Sequence, residues 1–342
     1  MVFKQQRLAE KRSLSRYVKY RIKRYVMLLS LVVPCYNEEE NVEKFFAETN
    51  NAFFGKGFDY EFVFVNDGSR DLTRKKLKKL YDENENHNIQ VLSFSRNFGK
   101  EAAIYAGLGA AKGDLVCVID ADLQQRPEVV LEMLKAMNED SDTDCVAAYQ
   151  EKRKESIIMR ASKAAFYKII NRIAEVEFVS GASDFRLMKR DMVNAVLEMT
   201  EYHRFSKGIF SWVGFNTKYI PYKVEKRESG KSKWNFRKLM KYALDGILSF
   251  STFPLKLSAF VGFLSAVISI IYLIVLIVKK LAFDIAVPGY ATVVVLILFL
   301  GGLQLFSFGF LGEYLSKIYV QVKNRPVYIL KEHLGKNDEK VD

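Results

Sequence analysis

Two uninterrupted apolar runs in the last third of the chain set the first limit on its fold. Leu255 to Val278 holds 24 residues with no full charge after Lys256, and Tyr290 to Leu311 holds 22 with none. At a helical rise of about 1.5 Å per residue, either run can span a hydrocarbon core of about 30 Å. A helix buried in a soluble core rarely stays apolar on every face for that length, so the runs predict transmembrane helices over 255–278 and 290–311. The connection from Lys279 to Gly289 is short and contains Pro288, which makes the pair a hairpin with both ends on one side.

Basic residues choose the side. Arg227, Lys231, Lys233, Arg237, Lys238, Lys241 and Lys256 precede the first run, and Lys317, Lys323 and Arg325 follow the second. The connection offers only Lys279 and Lys280, so the bulk of the chain is expected in the cytoplasm of a bacterial cell, with 317–342 as a cytoplasmic tail. Just before the first run, Met240, Leu244, Ile247, Leu248 and Phe250 recur at helical spacing opposite Lys238, Lys241 and Asp245. That pattern predicts an amphipathic helix over 234–253, lying at headgroup depth. A net charge of +12 would suit nucleic acid, but its placement argues against it. Nine Lys/Arg crowd into Met1 to Arg24 beside one acid, Glu10, and other basic residues flank the apolar runs. Anionic lipid or a solvated tail explains the 1–25 arm more simply. Val26 to Val33 is too short for a signal peptide. Cys35, Cys117 and Cys145 show neither metal nor disulfide spacing, as suits a reducing compartment.

Between 26 and 233 the pattern alternates. Apolar strands are expected at Met27–Val33, Tyr60–Val65, Ile89–Phe94, Leu115–Ile119 and Asp144–Ala148. Helices are expected from Glu38, capped by Asn37, and over Asp71–Glu83, Lys100–Ala111 and Pro127–Asn138. Strands alternating with helices imply an α/β, doubly wound, mostly parallel sheet, whose ligands bind beyond the carboxyl ends of its strands. Polar loops stand at those ends: Pro34-Cys35-Tyr36-Asn37-Glu38, Asn66-Asp67-Gly68-Ser69 and Asp120-Ala121-Asp122-Leu123-Gln124. Two carboxylates one residue apart after a buried strand can hold a divalent cation against a diphosphate, with Gln124 as a further hard oxygen donor. Alone such a pair is usually a solvated turn; beside the other two loops it becomes specific.

In that order, Val33-Pro34-Cys35-Tyr36-Asn37-Glu38-Glu39, Asn66 to Thr73, Arg96-Asn97-Phe98-Gly99-Lys100 and Asp120 to Gln124 resemble the family-2 glycosyltransferases of GT-A fold. The likeness is strongest to the polyprenyl-phosphate hexosyltransferases, the bactoprenol glucosyltransferases and dolichol-phosphate mannosyltransferases. It continues through Ser183-Asp184-Phe185-Arg186-Leu187-Met188, Arg204-Phe205, Trp212-Val213-Gly214-Phe215 and Arg227 to Lys233, covering roughly Ser30 to Pro326. The paired apolar runs resemble the bactoprenol branch in particular.

The resemblance implies that Pro34, Tyr36 and Glu38 line a nucleotide pocket, with Val65 and Asp67 on base and ribose. Asp120, Ala121 and Asp122 would approach ribose and diphosphate, with Asp122 and Gln124 on Mg²⁺ or Mn²⁺. Arg227 and Lys233 would meet phosphate charge, although membrane-surface charge is the alternative for both. Asp184 stands where the family's catalytic base is placed, and an orienting role stays open beside it. The implied reaction is inverting hexosyl transfer from a nucleotide sugar to polyprenyl phosphate. UDP-glucose is the first donor, with GDP-mannose and UDP-N-acetylhexosamine behind it.

The chain departs from the pattern at three places. Asn66 replaces an Asp, Gln125-Arg126 replaces Asp-Pro or His-Pro, and Gln150 stands where a basic residue is common, leaving Arg153 or Arg160 to supply that charge. A processive synthase would show Gln-x-x-Arg-Trp and more spans. A catalytically dead scaffold for a sugar-lipid flippase would be expected to lose the aspartate pair. The hairpin also offers a surface for self-association.

Overall fold

The structure is a computed structural model that describes residues 27–84, 88–151, 168, 170–172, 174, 176, 179, 181–223, 250–283 and 289–335. The elements, in chain order, begin with β1 (Leu28–Cys35), α1 (Val42–Phe53), β2 (Asp59–Asn66), α2 (Thr73–Glu83), β3 (Asn88–Phe94) and α3 (Lys100–Ala110). There follow β4 (Leu115–Val118), α4 (Pro127–Asn138), β5 (Cys145–Gln150), β6 (Ala182–Lys189), α5 (Arg190–Glu198), α6 (Ser206–Trp212) and β7 (Thr217–Tyr222). Two long helices, α7 (Phe253–Phe283) and α8 (Tyr290–Val322), precede the final strand β8 (Leu330–Leu334).

The described strands form one sheet in the order β7-β5-β6-β4-β1-β2-β3-β8. β3, β2, β1 and β4 run parallel, as do β5 and β7, while β6 is antiparallel to both its neighbours and β8 to β3. The doubly wound, mostly parallel sheet expected from the alternation is what forms. Side chains alternate between two cores, as the strand period of two requires. Leu29, Leu31, Val33, Phe62 and Phe64 meet α1, α2 and α4 on one face. Val32, Val63, Val65 and Val116 meet α3, α5 and α6 on the other. Helix α1 buries Val42, Phe45, Phe46, Thr49 and Phe53, one stripe at helical spacing. At the amino end of the sheet, buried Glu61 accepts hydrogen bonds from Ser30 Oγ (2.5 Å), the Lys112 amide (2.6 Å) and Gln90 Nε2 (3.1 Å), which offset the cost of burying it.

Three expectations change. Asn37 is not a helix cap: its φ is 54°, and α1 starts after Asn41. Its amide donates to Ser69 Oγ (3.0 Å) and its Oδ1 accepts from the Arg70 amide (2.9 Å), so it ties the first loop to the second. The expected tail is not all tail, because residues 330–334 return to the sheet and pair with β3. The second apolar helix also runs on to Val322, well past Leu311. The N-terminal arm and the amphipathic segment as far as residue 249 lie outside the described residues.

Helices α7 and α8 contain stretches, Phe253–Lys279 and Thr292–Val322, long and apolar enough to cross a membrane, and neither apolar window is buried in the protein. That separates them from core helices. Their feet meet the sheet domain. Phe250 lies against Gly208 of α6, where a Cβ would come within 2.3 Å of its ring. Tyr314 OH donates to the Ser251 carbonyl (2.6 Å), and Gln321 Oε1 accepts from the Tyr202 amide (2.8 Å). Both ends of the hairpin therefore stand beside 200–212, and β8 fastens the chain after the second helix back onto the sheet.

Candidate active site

The loops singled out by sequence lie together at the carboxyl ends of β1, β2 and β4. Pro34 pairs in register with Val65 and Cys35 with Asn66, so the first two loops leave the sheet side by side. They are then laced together: the Glu38 amide donates to Thr73 Oγ1 (2.8 Å), the Glu39 amide to Asp71 Oδ2 (3.2 Å) and the Leu72 amide to Glu39 Oε2 (2.7 Å). Glu38 Oε2 accepts from Asn41 Nδ2 (2.7 Å), while Tyr36 and Glu38 remain partly exposed at the rim. Val65 and Ala121 are buried in the two cores, which leaves their backbone as the part near the loops.

Asp67 has a larger structural task than the sequence suggested. Its Oδ1 accepts from the Phe98 amide (2.6 Å) and its Oδ2 from the Gly99 amide (3.0 Å) and Asn97 Nδ2 (2.8 Å). Burial pushes this carboxyl up, and the two amides and the charge of Arg96 counter part of the rise. The loop it gathers is packed against its own: Gly68, at φ 60°, sits where a Cβ would come within 2.3 Å of the Arg96 carbonyl carbon. Asn66, the departure from the family's Asp, accepts from the Ser69 amide (3.1 Å) and donates to Ser93 Oγ (3.4 Å), closing the turn without a charge.

The gathered loop delivers Lys100, the first residue of α3, into the site. Its Nζ lies 2.7 and 2.9 Å from the two oxygens of Asp120, at the end of β4, and 3.3 Å from Asp184 Oδ2, on β6. Sequence alone assigns Lys100 no role, because its partners come from two other strands. Burial alone would raise the Asp184 carboxyl, but Lys100, and then Lys207 and Arg186, outweigh it and hold the group below the usual carboxylate range. Arg186 itself stacks on Phe210 of α6, 3.8 Å from the ring centre, and donates to the Ser183 carbonyl (3.0 Å). Beside Lys100, half-buried Glu101 accepts from the amide (3.1 Å) and hydroxyl of Ser206, tying α3 to α6. Burial first, then the charge of Asp184, pushes Glu101 up to about 7.

The third loop turns sharply at Leu123, whose φ is 57°, and Asp122 Oδ1 accepts from the Gln124 amide (3.2 Å). Gln125 locks Asp120, accepting from its amide (2.9 Å) and donating to its Oδ2 (3.3 Å). Arg126 pairs instead with Glu48 of α1 (3.1 Å). Asp122 and Gln124 thus offer hard oxygen donors on one turn. No cluster of three or more metal-binding side chains exists among the described residues. A donor set of this size fits Mg²⁺ or Mn²⁺, which bind through one or two carboxylates with substrate phosphates completing the shell. Gln150 donates to the Tyr222 hydroxyl at 3.5 Å. Arg153, Arg160, Arg227 and Lys233 lie outside the described residues. The three cysteines are buried, and burial pushes each thiol up, away from reactive thiolate.

Residues 30–197 match the Glycosyl transferase family 2 domain, and residues 253–318 the GtrB C-terminal hairpin. An uncharacterized glycosyltransferase of Synechocystis is 42% identical over 307 residues, covering 90% of this chain and 96% of that one. The chain belongs to glycosyl transferase family 2. As a family member it is a glycosyltransferase, and its hairpin associates it with a membrane. The SfII prophage-derived bactoprenol glucosyl transferase of Shigella flexneri is 41% identical over 310 residues, covering 90% of this chain and 99% of that protein. Among solved structures, a mannosyltransferase of Pyrobaculum calidifontis, in complex with GDP-Man and Mn²⁺, aligns at a TM-score of 0.45 and 16% identity over 66% of this chain and 63% of that one.

Proposed function

We propose that this glycosyltransferase moves glucose from UDP-glucose to the phosphate of a polyprenyl phosphate, undecaprenyl phosphate in bacteria, at the cytoplasmic membrane face, with inversion at the anomeric carbon. The observation that carries this reading is α6. Its first residue is held by Glu101 next to Lys100, and its Gly208 touches Phe250, three residues before α7. One short helix therefore joins the site to the foot of the membrane hairpin, where a lipid phosphate would arrive. The bactoprenol glucosyl transferases among the relatives support both glucose and the lipid acceptor. GDP-mannose and UDP-N-acetylhexosamine are the alternative donors.

In this reaction an acceptor phosphate oxygen attacks the sugar's anomeric carbon, the bond to the donor diphosphate breaks, and its electron pair leaves with the nucleoside diphosphate. The transition state resembles an oxocarbenium ion, by analogy with glycosidases. Asp122 and Gln124 would hold Mg²⁺ or Mn²⁺, which when bound supplies counter-charge to the leaving diphosphate. Pro34, Tyr36, Glu38 and the Asp120–Asp122 turn line the donor side in this reading, with Arg153, Arg160, Arg227 and Lys233 on phosphate charge. A phosphate monoester has a second pKa near ~6, so the acceptor is already largely dianionic at neutral pH and needs little help from a base. Asp184, held ionised by Lys100, fits an orienting role better than proton abstraction.

A donor screen tests the assignment. Membranes carrying the protein and undecaprenyl phosphate are given each nucleotide sugar, and the glycolipid is identified by mass. A hexosyl lipid from UDP-glucose is expected; an N-acetylhexosaminyl product alone would overturn the choice of donor.

A further inference from the structure

We propose that Lys100 is a positioning residue for glycosyl transfer, a cation that fixes Asp184 against the Asp120 turn. Two independent features carry this. The first is geometric. A lysine ammonium has three N–H donors, and Lys100 has three acceptors within reach: both oxygens of Asp120 (2.7 and 2.9 Å) and Asp184 Oδ2 (3.3 Å). The second is the placement of the lysine in the sequence. Lys100 opens α3, beside the positive pole of the helix, where a cation is unfavourable. The two carboxylates from neighbouring strands offset that penalty, and the loop delivering Lys100 is held by all three donors to Asp67.

The bridge joins two side chains that leave neighbouring strands of the sheet. Asp120 belongs to the β4 turn that also carries Asp122, and Asp184 to the antiparallel strand β6 beside α6. The β4–β6 ladder, with Val118 opposite Arg186, brings Asp120 and Asp184 out side by side, and Lys100 bridges their side chains there. Among the described residues Asp184 Oδ1 is buried with no hydrogen-bond partner, and Oδ2 makes the ion pair with Lys100. Displacing a reacting group by about 1 Å can cost about 10²-fold in rate.

This inference rests on the transferase reading, and steady-state kinetics of the full-length protein in lipid vesicles separates the two. Lys100→Met should lower kcat by about 10²-fold and leave the donor KM within about threefold. Lys100→Arg, whose guanidinium can also span two carboxylates, should recover turnover to within about tenfold of wild type. Lys100→Met combined with Asp184→Asn should lose no more than Asp184→Asn alone, because the first change acts through the second residue. Losses that multiply, or a raised donor KM with kcat intact, would overturn the proposal and make Lys100 an independent or donor-binding residue. A shared fall in unfolding temperature for Lys100→Met and Lys100→Gln, with per-molecule turnover unchanged, would make it a folding residue and also overturn it. Wild-type protein that turns over no nucleotide sugar would sink the functional reading itself.

Discussion

Asp184 and Glu101 lie close to the same ammonium, yet their carboxyl groups are driven in opposite directions. For Asp184 the three nearby cations outweigh burial; for Glu101 burial and the negative charge of Asp184 outweigh the hydroxyl and amide of Ser206 and the charge of Lys100. A carboxylate held below its usual range is a poor proton acceptor. General-base catalysis typically contributes ~10²–10⁴-fold, so Asp184→Asn distinguishes the roles. We expect a loss with a pH–rate profile parallel to wild type, and residual activity rising steeply with pH would restore the base assignment. Glu101 makes a separate prediction for stability. Its folded-state pKa rises from about 4.5 to about 7, so the folded protein keeps a proton that the unfolded chain releases. The group's stabilising contribution is full below about pH 4.5 and is lost as pH rises to about 7. Glu101→Gln should flatten that decline in denaturant midpoints measured across the window. A slope unchanged from wild type would place the titration elsewhere.

Among the elements, the five buried strands were legible because each is mostly apolar, and Pro127 marked the start of α4 at the first helical position. The strands that were not foreseen share a physical reason. β6 carries Asp184 and Arg186, β7 alternates exposed and half-buried residues, and β8 reads Leu-Lys-Glu-His-Leu at a sheet edge. Such strands are specified by their neighbours more than by their own hydrophobicity. The site divides the same way. Its loops could be read from strand ends, whereas the bridge from Lys100 to Asp120 and Asp184 depends on three elements meeting. Residue Asn37 looked like a cap because its side chain suits one; its left-handed backbone serves a turn instead. The C-terminal return predicts a contrast in energies. Tyr328 stacks on Phe94 with ring centres 4.9 Å apart, while Glu332 pairs with partly exposed Arg74 at 2.8 Å. Tyr328→Ala should cost about 1–3 kcal/mol in unfolding measurements, and Glu332→Ala less than about 1 kcal/mol. Equal costs would mean that the ion pair, rather than aromatic packing, fastens the return.

At the scale of the whole molecule, the charge pattern and the hairpin agree. Both feet of the hairpin stand on the sheet domain, Phe250 against Gly208 and Gln321 against Tyr202, as basic residues flanking the two apolar runs require if that domain is cytoplasmic. Single cysteines at Asn51 and Asn337 should therefore resist an impermeant thiol reagent in intact cells, and one at Asp284 should react. Labelling at Asn337 without Asp284 would contradict the hairpin. In the proposed reaction the sugar goes to a lipid phosphate delivered at that foot. Release of nucleoside diphosphate from UDP-glucose, measured for the purified protein in vesicles with and without undecaprenyl phosphate, tests it most directly. Release is expected only with the lipid phosphate, one nucleotide for each glycolipid formed. Equal release without it, or equal transfer to the unphosphorylated lipid alcohol, would mean that lipid phosphate is not the acceptor.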